Sequence, residues 1–324
     1  MQEQTIGRLL VHPTDTVRSL AFSVLTSSSS SIRPFSSVAL DFLQRYMDIL
    51  YADTDAKFRN DVLSNTKHMI ERIRGATGFM TREIERISFN PNSSHNQEAS
   101  LQPDAKQLSD AFSHSLQSHK SFVEWYVNFL LGELVSTASY QRHITALKAI
   151  YLLVRSGVDG RSLDLAIHLS GHETVWPFAL RFFTPLSLRL LLDLLLDPFE
   201  DVRSNATAIL KLASKEDFTY SPAIVNSQSP SSENTISKIV PLGILQDFIQ
   251  SARKYSERTG RADYADGVAR SYELLYSLLD STDARIELVG KLVAELEAKV
   301  RVAEINLAEA VLVAPIHNDF ASLR

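Results

Sequence analysis

The chain has 324 residues, 44% hydrophobic residues and a formal net charge of −5, so it can bury a large core and carries no overall positive field. It has no cysteine, which excludes disulfides, thiolate nucleophiles and cysteine-ligated zinc. We therefore expect a cytoplasmic protein. The most apolar run, residues 186–196, contains Arg189 and Asp193 and is much shorter than the ~20 apolar residues of a membrane span, so we expect no membrane insertion.

Two segments, residues 12–25 and 197–210, follow one pattern: [HD]-P-x-[DE]-x-V-R-S-x-A-x-x-x-L. Proline ends one helix, the acid is expected to cap the next, and Val, Ala and Leu follow at helical spacing on one face. A degenerate copy begins at Asp53, and its Arg59 lies 41 residues (59 − 18) after Arg18, within the roughly 40–47 residue period of HEAT and armadillo repeats. The sequence thus predicts an all-α fold, a HEAT/armadillo-like α-solenoid of stacked helical hairpins.

Helical periodicity continues along the chain. Apolar residues recur at three- and four-residue steps in residues 38–50 and 122–134, and in a final helix from about Asp283 to Ala310. The leucine-rich run 186–196 is expected to be a helix buried on nearly all sides.

Three polar stretches, at residues 26–34, 90–104 and 217–237, are predicted loops, because such chains bury too little apolar surface to offset their ordering entropy. We treat the last two as flexible insertions. The predicted organisation is N-terminal helical repeats in 1–89, an insertion in 90–104, central repeats in 105–216, an insertion in 217–237 and C-terminal repeats in 238–324.

The sequence carries no motif that indicates catalysis. It lacks Gly-rich phosphate loops, H-E-x-x-H and G-x-S-x-G, and only 11 of its residues are glycine. His168 and His172 have the spacing of two metal ligands on one helix face, but no third ligand lies nearby in the sequence and a structural zinc site normally needs four. We expect no enzyme activity, no cofactor and no metal site.

The repeated arginines are expected to be structural. Each stands near the start of the second helix of a hairpin, where its planar guanidinium can reach carboxylates of the same or the preceding repeat. The predicted structural ladder consists of Asp15, Arg18, Arg59, Asp197 and Arg203.

Basic residues cluster locally in residues 57–86 and on the helix that begins near Tyr140. The candidates for contact with nucleic acid or a partner are Lys67, Arg72, Arg74, Arg142 and His143. The same residues also fit an ordinary solvated helix face, because charged residues make up 22% of the chain.

Four segments, in this order, resemble the THADA family: residues 57–74, F-V-E-W at 122–125, S-Y-Q-R-H-I-T-A-L at 139–147 and L-D-P-F-E-D-V-R at 196–203. The resemblance spans about residues 9–212. It implies a large helical-repeat protein whose fungal-type members serve as partner subunits of an FtsJ-type tRNA ribose 2'-O-methyltransferase acting in the anticodon loop. Family members are several times longer, so we expect this chain to be a fragment, and the family's R-R-S-A-G-type motif is absent from it.

Two hypotheses follow. The resemblance implies a non-catalytic scaffold that positions tRNA, the methyltransferase subunit or both, while the catalytic residues and the methyl donor belong to the partner. The alternative is a general protein-binding α-solenoid adaptor of the transport or chaperone type, with no nucleic-acid role and with apolar grooves that take a partner helix. The salt dependence of binding distinguishes the two hypotheses, because phosphate contacts weaken steeply with added salt and contacts in a protein-binding groove do not.

Overall fold

The computed structural model describes residues 3–52, 55–89, 102–160, 176–219 and 240–313. Within these ranges every regular element is helical, which confirms the predicted all-α helical-repeat fold. Short 3-10 turns occur at Leu194–Leu196 and Lys215–Phe218. The α-helices are α1 (Glu3–Leu10), α2 (Asp15–Thr26), α3 (Ser37–Tyr51), α4 (Ala56–Phe89), α5 (Gln102–Gly132), α6 (Tyr140–Arg155), α7 (Pro185–Asp193), α8 (Glu200–Leu210), α9 (Gly243–Thr259), α10 (Ala262–Leu278) and α11 (Thr282–Val313).

The helices pack in two rows. In one row α1 contacts α3 and α3 contacts α5; in the other α2 contacts α4, α4 contacts α6 and α6 contacts α8. Contact with the next helix but one is what stacked helical hairpins produce, because each hairpin covers the apolar side of the hairpin before it. Side chains buried in this way include Phe22, Met47, Ile73 and Leu147, each at most 1% exposed.

A buried hydroxyl cluster joins the two rows. The Tyr51 hydroxyl of α3 lies 2.5 Å from the Tyr126 hydroxyl of α5 and 3.2 Å from the Thr66 hydroxyl of α4. Burial raises the pKa of Tyr51 to about 12, so the phenol stays neutral and can both donate and accept. The cluster therefore satisfies buried polar groups where three helices meet.

The leucine-rich run differs from its prediction. It forms α7 and the following 3-10 turn; Leu188 and Leu191 are fully buried, whereas Leu186 is 68% exposed. Arg189 shares that open face and pairs with Asp193. The expectation of burial on nearly all sides is wrong, because residues 186, 189 and 193 recur at helical spacing along one solvent-facing stripe.

The chain divides into two compact units, Met1–Leu274 and Leu275–Arg324. The helix predicted from about Asp283 is α11, which lies in the second unit. Residues 90–101 of the first predicted insertion and 220–237 of the second lie outside the described residues, as do His168 and His172. The division into three repeat blocks stays a prediction. No helix in the described ranges is long and apolar enough to cross a membrane.

Candidate nucleic-acid interface

The helices of the second row share a basic residue at one position. The fourth residue of each helix, which we call the junction residue, is Arg18 in α2, Arg59 in α4, His143 in α6 and Arg203 in α8. The fourth residue of α11 is also an arginine, Arg285, and its Nε donates to the carbonyl of Leu279, six residues earlier.

Arg18 holds together the turn that precedes α2. Its Nη1 donates to the carbonyl oxygens of His12 at 2.9 Å and Pro13 at 3.1 Å, and its Nη2 donates to Asp15 at 2.6 Å. The guanidinium also lies 4.9 Å from the ring centre of Phe58, on the next helix of the row. Arg18 thus links the turn to its own helix and to the neighbouring repeat.

Arg203 makes the same contacts 185 residues later. Its Nη1 donates to the carbonyls of Asp197 at 2.8 Å and Pro198 at 3.1 Å, and its Nη2 donates to Glu200 at 2.6 Å. Its Nε reaches the carboxylate of Asp266 on α10 at 2.7 Å. The Arg203 side chain is only 9% exposed, whereas the carboxylates of Asp266 and Glu200 are 38% and 57% exposed.

The first residue of the motif, and not its acid, makes the side-chain contact at the helix start. His12 Nδ1 accepts from the backbone N–H of Thr14 at 3.1 Å, and Asp197 Oδ1 accepts from that of Phe199 at 2.8 Å. The N-cap residues Thr14 and Phe199 make no side-chain cap bond. The expected capping by the motif acid is therefore wrong, because that acid lies inside the first turn and faces the junction arginine.

Arg59 is half-buried at the start of α4. Asp55, just before this helix, accepts from the backbone N–H of Phe58 at 2.7 Å and so caps it. Residues 53–54, whose carbonyls correspond to those that Arg18 and Arg203 bind, lie outside the described ranges.

His143 is buried, at 5% exposure, and occupies the junction position of α6. Its Nε2 lies 3.0 Å from the carbonyl of Val135, and its Nδ1 lies 3.7 Å from the carboxylate of Asp197 in the next repeat. The nearby carboxylate of Asp197 raises the pKa of His143. Because both ring nitrogens face acceptors inside the fold, we leave His143 out of the proposed contact set.

Arg142 forms ion pairs with two carboxylates. Its Nη1 lies 2.9 and 3.0 Å from the two oxygens of Glu133 and 2.9 Å from Asp48 on α3. Burial raises the pKa of Glu133, and Arg142 opposes that shift. With two acids around one guanidinium, this group carries no net positive charge toward a ligand, and we leave it out as well.

Arg72 fastens the loop of residues 27–36 to α4. Its guanidinium lies 3.8 Å from the ring centre of Phe35, and burial lowers the pKa of Arg72. It donates to the backbone carbonyls of Leu25, Thr26, Ser27, Arg33 and Pro34. Because its N–H donors are occupied by these backbone carbonyls, we also leave Arg72 out of the proposed contact set.

Lys67 and Arg74 line a groove between α4 and α6, here called the α4–α6 groove. Lys67 is 60% exposed and lies 3.8 Å from Glu71. Arg74 donates to the carbonyl of Ser156 at 3.3 Å. The groove has a volume of about 320 Å³ and is lined by Lys67, Ile70, Glu71, Arg74, Tyr151, Leu152, Arg155 and Ser156.

Arg155 adds a third cation that was not among the candidates. It is exposed in the last turn of α6, where its Nη1 lies 3.4 Å from the Tyr151 hydroxyl and its guanidinium 5.5 Å from that ring centre. The sequence did contain a signal for Arg155, because it lies four residues after Tyr151 and near the C-terminus of a predicted helix, where a basic residue is favoured.

The lining of the groove is suited to binding oxyanions. Its lining contains three cations, one carboxylate (Glu71) and the buried Ile70. Arginine and lysine in such a setting form charge-assisted hydrogen bonds with phosphate oxygens. Within the described part of the chain, no three His, Asp or Glu side chains meet in a way that could hold a metal ion.

The two rows of stacked helices define a helical-repeat protein. The sequence profile of the family described as "Trm732, TPR repeats" matches residues 1–204. The chain belongs to this family, which relates it to tRNA modification and to association with a tRNA-modifying enzyme. The matched region contains every residue of the α4–α6 groove.

The crystal structure of an engineered protein is also similar to this chain. The alignment covers 86% of this chain and 97% of the engineered one at 12% sequence identity, with a TM-score of 0.29. A score this low carries no argument about the fold.

Proposed function

We propose that this chain is a non-catalytic scaffold subunit for tRNA 2'-O-ribose methylation in the anticodon loop. In this proposal it is a fungal-type member of the THADA family, acts in the cytoplasm and binds both tRNA and an FtsJ-type methyltransferase. One observation carries the nucleic-acid part: the α4–α6 groove lies within the region that matches a tRNA-modification family and gathers three cations around one acid.

The groove would hold tRNA by its backbone. Lys67 and Arg155, the two exposed cations, contact phosphate oxygens, and Arg74 of α4 supports them through its hydrogen bond to the carbonyl of Ser156, just after α6. Contacts of this kind position a nucleic acid without reading its sequence. Choice of the modified nucleotide and transfer of the methyl group then belong to the partner enzyme.

The test is tRNA binding by a groove variant, Lys67→Glu with Arg155→Glu. Neither residue is buried, so the fold should be retained. We expect affinity to fall roughly tenfold or more near 0.1 M salt, and the slope of log affinity against log salt to become shallower by about 2, because two phosphate contacts are lost.

The matched control is Arg86→Glu with Arg189→Glu, which changes the net charge equally at side chains that are 74% and 57% exposed and outside the groove. It should bind tRNA nearly as well as the wild type. Equal losses in the two variants would show a general charge effect and contradict the groove assignment. Absence of salt-dependent tRNA binding in the wild type would favour the protein-binding adaptor instead.

A further inference from the structure

Helix α11 presents an apolar stripe to solvent. Among its described side chains, Ile286, Val289, Val293, Leu296 and Val300 are 64%, 47%, 49%, 63% and 49% exposed. With Ala303, which is also exposed, their spacing alternates strictly between three and four residues. We call these six positions the α11 seam.

The spacing of the seam is that of a coiled coil. Alternating steps of three and four place residues at the a and d positions of a heptad, and a 3.5-residue repeat wraps two helices around each other with a left-handed twist. Ile286, Val293 and Val300 are the a positions, and the sequence continues the pattern with Leu307 and Ala310. From residue 286 to residue 310 the helix rises by about 36 Å, which is more than three heptads.

We propose that the α11 seam is the interface between two copies of this chain, joined as a parallel two-stranded coiled coil. The a positions are β-branched, which in a parallel coiled coil favours two strands over three or four. Charge supports the same direction: Lys299 occupies a g position and Glu304 the e position five residues later, so a parallel pair brings opposite charges together. An antiparallel pair would bring the e-position Glu297 and Glu304 toward each other. This interface is independent of the function proposed above.

The first experiment measures the molar mass of the full chain by light scattering during size-exclusion chromatography. We expect twice the 36.2 kDa of one chain for the wild type at tens of micromolar. Leu296→Glu puts a charge at a d position of the seam and should give the monomer. Leu296 is 63% exposed in the single chain, so its replacement does not open a core.

Val302→Glu is the control, because Val302 is 56% exposed on the same helix but occupies a c position outside the seam. This variant should remain dimeric. A monomeric wild type would overturn the proposal and leave the seam to a different partner. A dimer that withstands Leu296→Glu would overturn it too.

The absence of cysteine allows a second test of strand direction. Ala303→Cys places one thiol at a d position, where a parallel, in-register pair brings it against its own copy; Ala298→Cys places it at an f position on the far side. Mild oxidation should cross-link the first variant and not the second, as seen on a non-reducing gel. Equal cross-linking of both, or of neither, would contradict the parallel arrangement.

Discussion

At the scale of single residues, Arg203 connects the turn before α8, the first turn of that helix and Asp266 of α10. Arg203→Ala removes these hydrogen bonds and leaves Asp266 and Glu200 with less positive charge. We expect the free energy of unfolding to fall by about 1–2 kcal/mol, mainly because the carbonyls of the turn lose their donor, since the partner carboxylates of Asp266 and Glu200 are 38% and 57% exposed. Urea denaturation followed by circular dichroism measures the change.

Arg189→Ala is the control for that measurement. Arg189 pairs with Asp193 one helical turn away, but both side chains are more than half exposed, so the expected loss is within about 0.5 kcal/mol. A loss at Arg203 no larger than the loss at Arg189 would contradict a structural role for the junction residues.

His143 gives the fold a pH dependence of known sign. The carboxylate of Asp197 raises the pKa of His143 above the ordinary 6.5. The charged contact therefore stabilises the fold fully below pH 6.5, and this stabilisation is lost as pH rises through the raised value. In urea denaturation, wild type should exceed His143→Gln in stability by more near pH 6 than near pH 9.

His119 should show the opposite dependence. It is fully buried, its Nε2 accepts from the backbone N–H of Phe35, and burial lowers its pKa. Its neutral form stabilises the fold above pH 6.5, and that contribution is lost as pH falls through the lowered value. The stability advantage of wild type over His119→Gln should thus shrink toward acid pH. The same pH trend for both variants would contradict the two assignments.

The structural positions of some of these residues could be predicted from the sequence, and those of others could not, for a physical reason. Arg18 and Arg203 stand in the same motif, so their shared place at the start of a helix could be predicted. His143 could not be recognised as a junction residue, because it is a different residue type and its turn lacks the motif. Arg72 looked like a surface cation because the sequence does not show that the loop after α2 folds back over it.

At the scale of elements, the loop of residues 27–36 packs closely on α4. A Cβ added to Gly75 would lie 2.5 Å from the backbone oxygen of Ser31, so Gly75→Ala must push the loop away. We expect a loss of about 1–3 kcal/mol in unfolding free energy, typical of overpacking. Thermal denaturation measures it.

Gly132→Ala is the matched substitution, since no atom lies within 4 Å of the added Cβ at the end of α5. It should be neutral or slightly stabilising. If Gly75→Ala were equally harmless, the loop would not lie on α4 as described.

The helices were easier to predict from the sequence than the contacts between them. Apolar periodicity reveals an amphipathic helix from its own residues, as for α3 and for the start of α11. The α4–α6 groove depends on two helices that are separated by α5, and no local pattern encodes such a contact. The repeat spacing is also uneven, because the second-row helices begin at residues 15, 56, 140 and 200, so only the first interval shows a HEAT-like period.

At the scale of the whole molecule, the proposed role is to bring tRNA and a methyltransferase together without performing the transfer. In this proposal the α4–α6 groove, which lies within the family-matched region, supplies the phosphate contacts. Removing the groove's charge should therefore reduce methylation without unfolding the protein.

The most direct measurement reconstitutes tRNA, an FtsJ-type ribose methyltransferase and a methyl donor with and without this chain, and quantifies 2'-O-methylated anticodon-loop nucleosides by mass spectrometry. We predict no methylation by the chain alone, methylation by the enzyme only when the chain is added, and a reduced yield with Lys67→Glu and Arg155→Glu. Methylation that is unchanged by adding the chain, or methylation by the chain alone, would contradict the account.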